Sequence, residues 1–160
     1  MGLGTSFEVL LPRELDESSV IRRLGSEITL ENTKPTILVV EDDADIRTLL
    51  QNYFQRSGYH LLEARDGEEA LMIADLHEGS IDLLISDVTM PVMSGPDLVR
   101  AMAPQRPEMK VLFISGYPQD FAGLDAFLKR GAHFLQKPFR QNDLLLRVKQ
   151  ILHETRQLVN

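Results

Sequence analysis

The chain has 160 residues, a formal net charge of −7 and no cysteine. With 43% hydrophobic and 26% charged residues, its composition is that of a globular protein, and its length fits one ordinary domain with some additional chain. The negative charge disfavours a nucleic-acid partner, the lack of cysteine excludes disulfides and thiolate metal sites, and the sequence contains no apolar run long enough for a membrane segment.

Residues 1–34 precede the regular pattern that fills the rest of the chain. Apolar side chains from Phe7 to Leu11, ended by Pro12, predict one short strand within residues 1–12. Residues 13–34 are polar and mixed in charge, and we expect them to form a linker. An unpaired apolar strand tends to pair with another chain, so self-association through residues 1–34 is also an expectation.

From residue 36 onward, short apolar runs alternate with amphipathic segments. The runs predict strands at 36–40, 59–63, 81–86, 110–115 and 133–136. The amphipathic segments predict helices at 44–57, 67–78, 95–103, 120–130 and 141–155. Five βα units in series predict an α/β fold, a doubly wound flavodoxin-like parallel sheet with strand order 2-1-3-4-5, carrying an N-terminal extension.

Capping signals support the starts of three predicted helices. Asp43 precedes the first helix and is expected to cap it. Asp66 with Glu69 three residues later has the pattern of a capping box. Ser94 precedes a proline in the first turn of the third helix, which is a favourable start.

The predicted strands end in residues that suit a phosphoryl or metal site. These residues are Glu41, Asp42, Asp87, Ser115 and Lys137. Because the carboxyl ends of parallel strands meet at one edge of a sheet, we expect these side chains to lie close together.

The chemistry of this set points to metal-assisted phosphoryl transfer. Asp42 and Asp87 are predicted to bind Mg²⁺ directly and Glu41 through a water, because Mg²⁺ prefers oxygen ligands and keeps part of its hydration shell. Carboxylates about 5 Å apart repel each other by roughly 3 kcal/mol per pair at an effective dielectric of about 20, so crowding favours Mg²⁺ or another divalent cation. Asp87 is the predicted nucleophile, Lys137 neutralises the transferred group, and Ser115 donates a hydrogen bond to it.

The same residues stand in motifs that resemble the receiver domain of bacterial two-component response regulators. The motifs are Val39–Asp43, Ser86–Gly95, Ser115–Gly116 and Lys137–Phe139, and the resemblance runs from Ile37 to about Leu152. We therefore assign residues 35–156 to a receiver domain and residues 157–160 to a tail.

The resemblance implies a phosphoacceptor that catalyses its own phosphorylation and dephosphorylation. It implies that Asp87 takes a phosphoryl group from a phosphohistidine in a Mg²⁺-dependent reaction, after which the domain changes conformation. It assigns the metal to Glu41, Asp42, Asp87 and the backbone carbonyl of Thr89.

The resemblance also implies a conformational switch and a lysine at the phosphoryl group. It gives switch roles to Ser115 and Phe134, places Lys137 on the phosphoryl group, and implies a cis peptide bond between Lys137 and Pro138. Phe134 stands where many members carry tyrosine, which removes a phenol hydroxyl. Ser115 replaces the commoner threonine and keeps the hydroxyl.

A second resemblance concerns the N-terminus. Residues 4–12 look like the last strand of a histidine-kinase ATP-binding domain, and residues 115–118 and 134–139 look like receivers fused behind kinases. This indicates the C-terminal receiver of a hybrid histidine kinase. The implied partners are a histidine kinase, in the same parent chain or separate, and a histidine phosphotransfer protein. A cytoplasmic location is expected, which is compatible with a membrane-attached parent.

Two alternative functions stay open at this point. Asp43-Ala44-Asp45 resembles the D-x-D motif of haloacid-dehalogenase-type phosphatases, although Arg47 stands where those enzymes carry Thr or Val. The other alternative is a degenerate receiver that acts only as a docking module. The complete set of acids and the lysine argue against it.

Overall fold

The structure is a computed structural model that describes residues 34–116 and 123–154. The predicted strand within residues 1–12, nearly all of the predicted linker and the tail at 157–160 lie outside the described residues. These assignments therefore stay predictions.

Within the described residues, five parallel strands alternate with five helices. The strands are β1 (Thr36–Val40), β2 (His60–Ala64), β3 (Leu83–Asp87), β4 (Lys110–Ser115) and β5 (His133–Gln136). The helices are α1 (Ala44–Phe54), α2 (Gly67–Leu76), α3 (Gly95–Met102), α4 (Leu124–Leu128) and α5 (Gln141–His153). The strands lie in the order β2-β1-β3-β4-β5 and pair in parallel, so the predicted fold and strand order are confirmed.

The central strands are apolar along their whole length because helices cover both faces of the sheet. Successive side chains of a strand point to opposite faces. Ile37 therefore packs in one core cluster with Leu144 of α5. Its neighbour Leu38 packs in another cluster with Ala70 of α2 and Leu98 of α3. With both faces covered, the carboxyl ends of the strands are the open edge where polar residues can gather.

Polar side chains cap the first three helices as the sequence predicts. The Asp43 carboxylate accepts backbone N–H groups at the start of α1, and Asp66 does so for α2. Glu69 accepts the N–H of Arg65 at 2.7 Å and so holds the entry of the chain into α2. The Ser94 hydroxyl caps α3. These caps fix the starts of the three helices that come after β1, β2 and β3 in the chain.

Several boundaries differ from the predicted ones. α1 ends at Phe54 and α2 at Leu76, both earlier than the amphipathic pattern predicts. β3 begins at Leu83, two residues late, and the described part of the predicted helix at 120–130 is helical over Leu124–Leu128. None of the helices within residues 34–116 and 123–154 is both long and apolar enough to cross a membrane.

Candidate functional site

Strand register brings the predicted site residues to one edge of the sheet. Asp87, the last residue of β3, pairs with Ile114 of β4, and Ser115 at the end of β4 pairs with Gln136 of β5. The Lys137 N–H continues this ladder by donating to the Ser115 carbonyl at 2.8 Å. Residues separated by long stretches of chain therefore start from neighbouring positions at the same edge.

Three carboxylates form the centre of this edge. Glu41, Asp42 and Asp87 each offer an oxygen atom, and these three atoms lie within 4.8 Å of one another. Glu41 is 1% exposed, whereas Asp42 faces solvent and forms no ion pair with any residue that the structure describes. Carboxylate oxygens are the ligands that Mg²⁺ prefers, so the donor set fits a divalent cation. The assignment of these residues as metal ligands stays a prediction.

Lys137 joins two of these carboxylates. Its Nζ atom donates to Glu41 Oε2 at 2.9 Å and to Asp87 Oδ2 at 2.5 Å. The lysine side chain is 18% exposed, so these charge-assisted hydrogen bonds are partly shielded from water. The peptide bond to Pro138 is cis, as the resemblance implies.

Burial and the ion pairs shift two pKa values at this edge. Burial raises the pKa of the Glu41 carboxyl above its ordinary value, although the hydrogen bond and charge of Lys137 act in the opposite direction. Burial lowers the pKa of Lys137, but its hydrogen bonds to Asp87 and Glu41 outweigh burial and leave that pKa raised. Lys137 therefore carries a positive charge at neutral pH beside the carboxylate of Asp87.

Both oxygens of Asp87 are held in place. Oδ2 accepts from Lys137, and Oδ1 accepts the backbone N–H of Thr89 at 2.9 Å. The Asp87 side chain is 13% exposed, which leaves it partly open to a reactant. Thr89 thus contacts the site through its N–H, while the predicted role of its carbonyl as a metal ligand stays a prediction.

The two predicted switch residues lie at the ends of neighbouring strands. Ser115 is buried at the end of β4, with 5% exposure. Phe134 is half-buried in β5 and packs against a cluster that includes Val88 and Phe113. Val88 directly follows Asp87 in the chain, so Phe134 lies in the packing behind the carboxylate. The switch roles of both residues stay predictions.

Two further residues contribute to the site and were not predicted as site residues from the sequence. Arg47 of α1 donates through Nη1 to the carbonyl of Glu41 at 2.7 Å and so fixes the chain between β1 and α1. Gly95 donates its N–H to the Val88 carbonyl at 3.0 Å and packs against the backbone of Asp87. An arginine one turn into a helix has many common roles, so the sequence carries no signal for this contact.

The loop after Asp87 contains a strained turn. Val92 has a positive φ of 67°, and the N–H of Met93 donates across it to the Pro91 carbonyl at 2.7 Å, which closes a γ-turn. A β-branched residue rarely adopts this conformation, and here its side chain is 89% exposed. The sequence gives no warning of this turn, because glycine or asparagine is the usual signal for a positive φ.

Sequence comparisons identify relatives of known family. The sequence model of the response regulator receiver domain matches residues 37–149. The sensor kinase CckA of Brucella abortus is 36% identical over 96% of this chain, which spans 17% of the length of that kinase. The response regulator receiver protein CpdR of the same organism is 34% identical over 72% of this chain and 95% of its own length.

Solved structures give the same result. The receiver domain of the hybrid histidine kinase CckA is 43% identical, with a TM-score of 0.62 over 73% of this chain and 98% of that domain. The chemotaxis protein CheY4 of Vibrio cholerae is 29% identical, with a TM-score of 0.67 over 74% of this chain and 99% of its own. Because the family match covers most of the sequence and CpdR is matched over nearly its full length, the chain belongs to the response regulator receiver domain family.

Proposed function

We propose that Asp87 accepts a phosphoryl group from a phosphohistidine in a Mg²⁺-dependent reaction and that the domain then changes conformation. The observation that carries this proposal is the Lys137 ammonium, which joins Asp87 and Glu41 within a cluster of three carboxylates. A nucleophilic oxygen, a fixed positive charge and oxygen ligands for a metal are the parts that phosphoryl transfer requires.

The contacts of Asp87 support a direct displacement at phosphorus. An oxygen of Asp87 forms a bond to phosphorus while the bond between phosphorus and the imidazole nitrogen breaks. The electron pair returns to the imidazole, which takes up a proton from water. Lys137, already 2.5 Å from Asp87, stabilises the negative charge on the transferred oxygens. Mg²⁺ held by Glu41, Asp42, Asp87 and the carbonyl of Thr89 would supply further positive charge to the same oxygens.

Ser115 connects the reaction to the rest of the domain. A phosphoryl group adds roughly −1.5 to −2 charges and three strong hydrogen-bond acceptors. It therefore attracts the hydroxyl of Ser115, which lies at the end of the strand beside Asp87. Movement of Ser115 changes the space available to Phe134 on the neighbouring strand.

The length of the match to CckA supports a hybrid-kinase origin. The alignment covers 96% of this chain, whereas the receiver family model covers residues 37–149. The alignment therefore extends into the segment before residue 37, which supports our proposal that residues 1–12 are the last strand of a kinase ATP-binding domain and that residues 13–34 are a linker. The phosphodonor is then a histidine kinase in the same parent chain or a separate one, and a histidine phosphotransfer protein is the proposed acceptor. A cytoplasmic location follows from this role.

Covalent labelling tests the proposal. We expect the full chain, incubated with acetyl phosphate and Mg²⁺, to gain one phosphoryl group by intact mass, with peptide mapping placing it on Asp87. Asp87→Asn is expected to abolish labelling, because an amide is not a nucleophile toward phosphorus.

Asp43→Asn is the matched control, since asparagine caps a helix as well as aspartate does. It should be labelled like the unaltered chain, whereas a haloacid-dehalogenase-type phosphatase would lose labelling through this change. An unaltered chain that stays unlabelled with acetyl phosphate would favour a docking module without phosphoryl chemistry.

A further inference from the structure

A second concave surface lies at the opposite edge of the sheet from the carboxylates. It is a cavity of about 740 Å³ between α3, α4 and the first residues of β4 and β5. Lys110 and His133, which begin these two strands, line it, so it opens at the amino ends of the strands, whereas Asp87 lies at a carboxyl end. Pockets for small organic ligands typically have volumes of about 300–1,000 Å³, and the proposed phosphoryl transfer does not use this cavity.

The lining of this cavity is basic although the chain has a net charge of −7. The basic side chains are Arg100, Lys110, Lys129, Arg130 and His133, of which His133 is neutral at neutral pH because burial lowers its pKa. Among the lining residues that belong to the described part of the chain, Glu154 is the one acidic side chain. The local charge is therefore opposite to that of the whole molecule, and it attracts anions.

Three of these basic groups already have partners in the protein. Lys110 Nζ donates to carbonyls at the end of α5. His133 Nε2 lies 3.2 Å from the carboxylate of Glu154. Arg100 Nη1 lies 2.5 Å from a carboxylate oxygen of Asp97. These contacts leave the remaining two cations as the groups available to a ligand.

Those two cations stand beside an apolar wall. Lys129 and Arg130 directly follow α4, are exposed, and form no ion pair within residues 34–116 and 123–154. The neighbouring wall contains Val99, Val111 and Phe127. Val111 is 8% exposed, and Val99 and Phe127 are partly exposed. A ligand that paired only with the cations would leave the exposed part of this wall in water, and a neutral apolar ligand would leave the cations without an ion pair.

We propose that this cavity binds a small organic anion in which a carboxylate or phosphate group is attached to an aromatic body. The aromatic body packs on Val99, Val111 and Phe127, and the acidic group pairs with Lys129 and Arg130. The planar guanidinium of Arg130 suits both acids, because it can donate two parallel hydrogen bonds to either one.

Naphthoate is a suitable probe, because it joins one carboxylate to a flat apolar body. We expect naphthoate, added to the isotope-labelled full chain, to shift the backbone amide NMR signals of Val111 and of residues 127–133. The shifts should weaken as salt is added, because the rim charges are exposed. Naphthamide, which has the same shape without the charge, should bind at least about ten-fold more weakly.

Charge-removing variants locate the binding site. Lys129→Gln combined with Arg130→Gln should weaken naphthoate binding by about ten-fold, since both ion pairs are lost. Arg56→Gln combined with Lys149→Gln removes the same charge from exposed positions outside the cavity and should leave binding unchanged.

Four results would overturn the proposal: no signal shifts with millimolar naphthoate, shifts confined to other residues, equal binding of naphthamide, or unchanged binding in the Lys129/Arg130 variant. A chain that ends at Glu154 serves as a further arm. Naphthoate binding by that shorter chain but not by the full chain would identify residues 155–160 as the occupant and would also overturn the proposal.

Discussion

Gly95 is the residue that lets α3 start directly against the end of β3. A Cβ atom at this position would overlap the carbonyl oxygen of Asp87 and would lie 2.8 Å from Ser86 Oγ. The Ser86 hydroxyl is itself fixed by a hydrogen bond to the Asp87 carbonyl at 2.9 Å. The backbone of the proposed phosphoacceptor is thus packed against a position that has room only for hydrogen.

Gly95→Ala is expected to lower the free energy of unfolding by about 2–3 kcal/mol. The added methyl group would displace the Asp87 carbonyl, which is held by a hydrogen bond from the Ser86 hydroxyl. Helix propensity alone predicts that this substitution raises the free energy of unfolding, since alanine is favoured over glycine inside helices by about 1 kcal/mol. Urea unfolding followed by circular dichroism measures the change. Gly116→Ala is the control, because no atom of the residues that the structure describes would lie within 4 Å of its Cβ atom. Equal stability of the two variants would contradict the steric argument.

Arg106 connects the chain after α3 to the end of α2. Its Nη2 atom donates to the carbonyls of Ala74 at 2.7 Å and His77 at 2.6 Å, and Nη1 donates to the carbonyl of Gly79. The last carbonyls of a helix have no partner within the helix, and a positive charge there also interacts favourably with the helix dipole. One side chain therefore bonds to a carbonyl in the last turn of α2 and to two carbonyls just beyond the helix.

Removal of this guanidinium should destabilise the domain. Arg106→Met is expected to cost about 2 kcal/mol of unfolding free energy, because two partly buried carbonyls and one exposed carbonyl lose charge-assisted hydrogen bonds. Arg106→Lys should destabilise the domain less than Arg106→Met but should not restore the full stability, since an ammonium lacks the planar fork that spans several carbonyls. Arg56→Met, at an exposed position of the same charge, is the control for urea unfolding. If the Met variants at both positions proved equally stable, the cap would have no energetic role.

Tertiary contacts such as this one explain why helix ends were harder to predict than helix existence. Periodicity extends α2 to residue 78, but the carbonyls beyond Leu76 turn toward Arg106 instead of continuing the helix. α1 stops at Phe54 through a local contact instead, since the hydroxyl and N–H of Ser57 both bond to the Phe54 carbonyl, at 2.6 and 3.0 Å. A hydrophobic pattern records which face is buried and carries no information about such partners.

His133, the first residue of β5, should make stability depend on pH. Burial is the main cause that lowers its pKa below the ordinary 6.5, the charges of Arg147 and Lys110 act in the same direction, and Glu154 opposes them. The unfolded chain therefore binds more protons than the native one just below pH 6.5, so this histidine costs stability as the pH falls through that range.

Urea unfolding tests whether stability falls on acidification, by comparing neutral pH with a pH about one unit below the ordinary histidine pKa. His133→Gln should lose less stability on acidification than the unaltered chain, because the titrating group is gone. His60→Gln replaces an exposed histidine and should keep the full dependence. A steeper loss in His133→Gln would show that the histidine is stabilised in its protonated form.

At the scale of the whole molecule, a parallel sheet explains how the sequence could predict the site. Glu41 and Lys137 are 96 residues apart and in contact, because each follows a strand whose carboxyl end lies at the same edge. The individual side-chain contacts could not be predicted from the sequence. Lys137 bonds to both Glu41 and Asp87, and Arg47 donates to the Glu41 carbonyl. These contacts depend on burial and side-chain geometry rather than on strand order.

Because the carboxylate cluster draws on separate strands, a cation bound there should stabilise the domain as a unit. At ten times its dissociation constant, Mg²⁺ adds about 1.4 kcal/mol to the free energy of unfolding, which corresponds to a rise in melting temperature of roughly 5 °C for a domain of this size. Thermal melts with and without Mg²⁺ measure the shift.

Variants of the cluster decide whether that shift comes from the proposed metal site. Asp42→Asn and Asp87→Asn should abolish it, while Asp75→Asn, at an exposed position on α2, should keep it. Loss of the Asp42 carboxylate, which forms no ion pair with any residue that the structure describes, should also raise stability without metal, because the crowded acids repel each other. Two results would contradict the metal site: a melting temperature of the unaltered chain that does not change with Mg²⁺, or an Asp42→Asn variant that keeps the full rise in melting temperature. A variant that is more stable than the unaltered chain without Mg²⁺, and whose melting temperature does not change when Mg²⁺ is added, is the result expected if the cation relieves repulsion between the carboxylates.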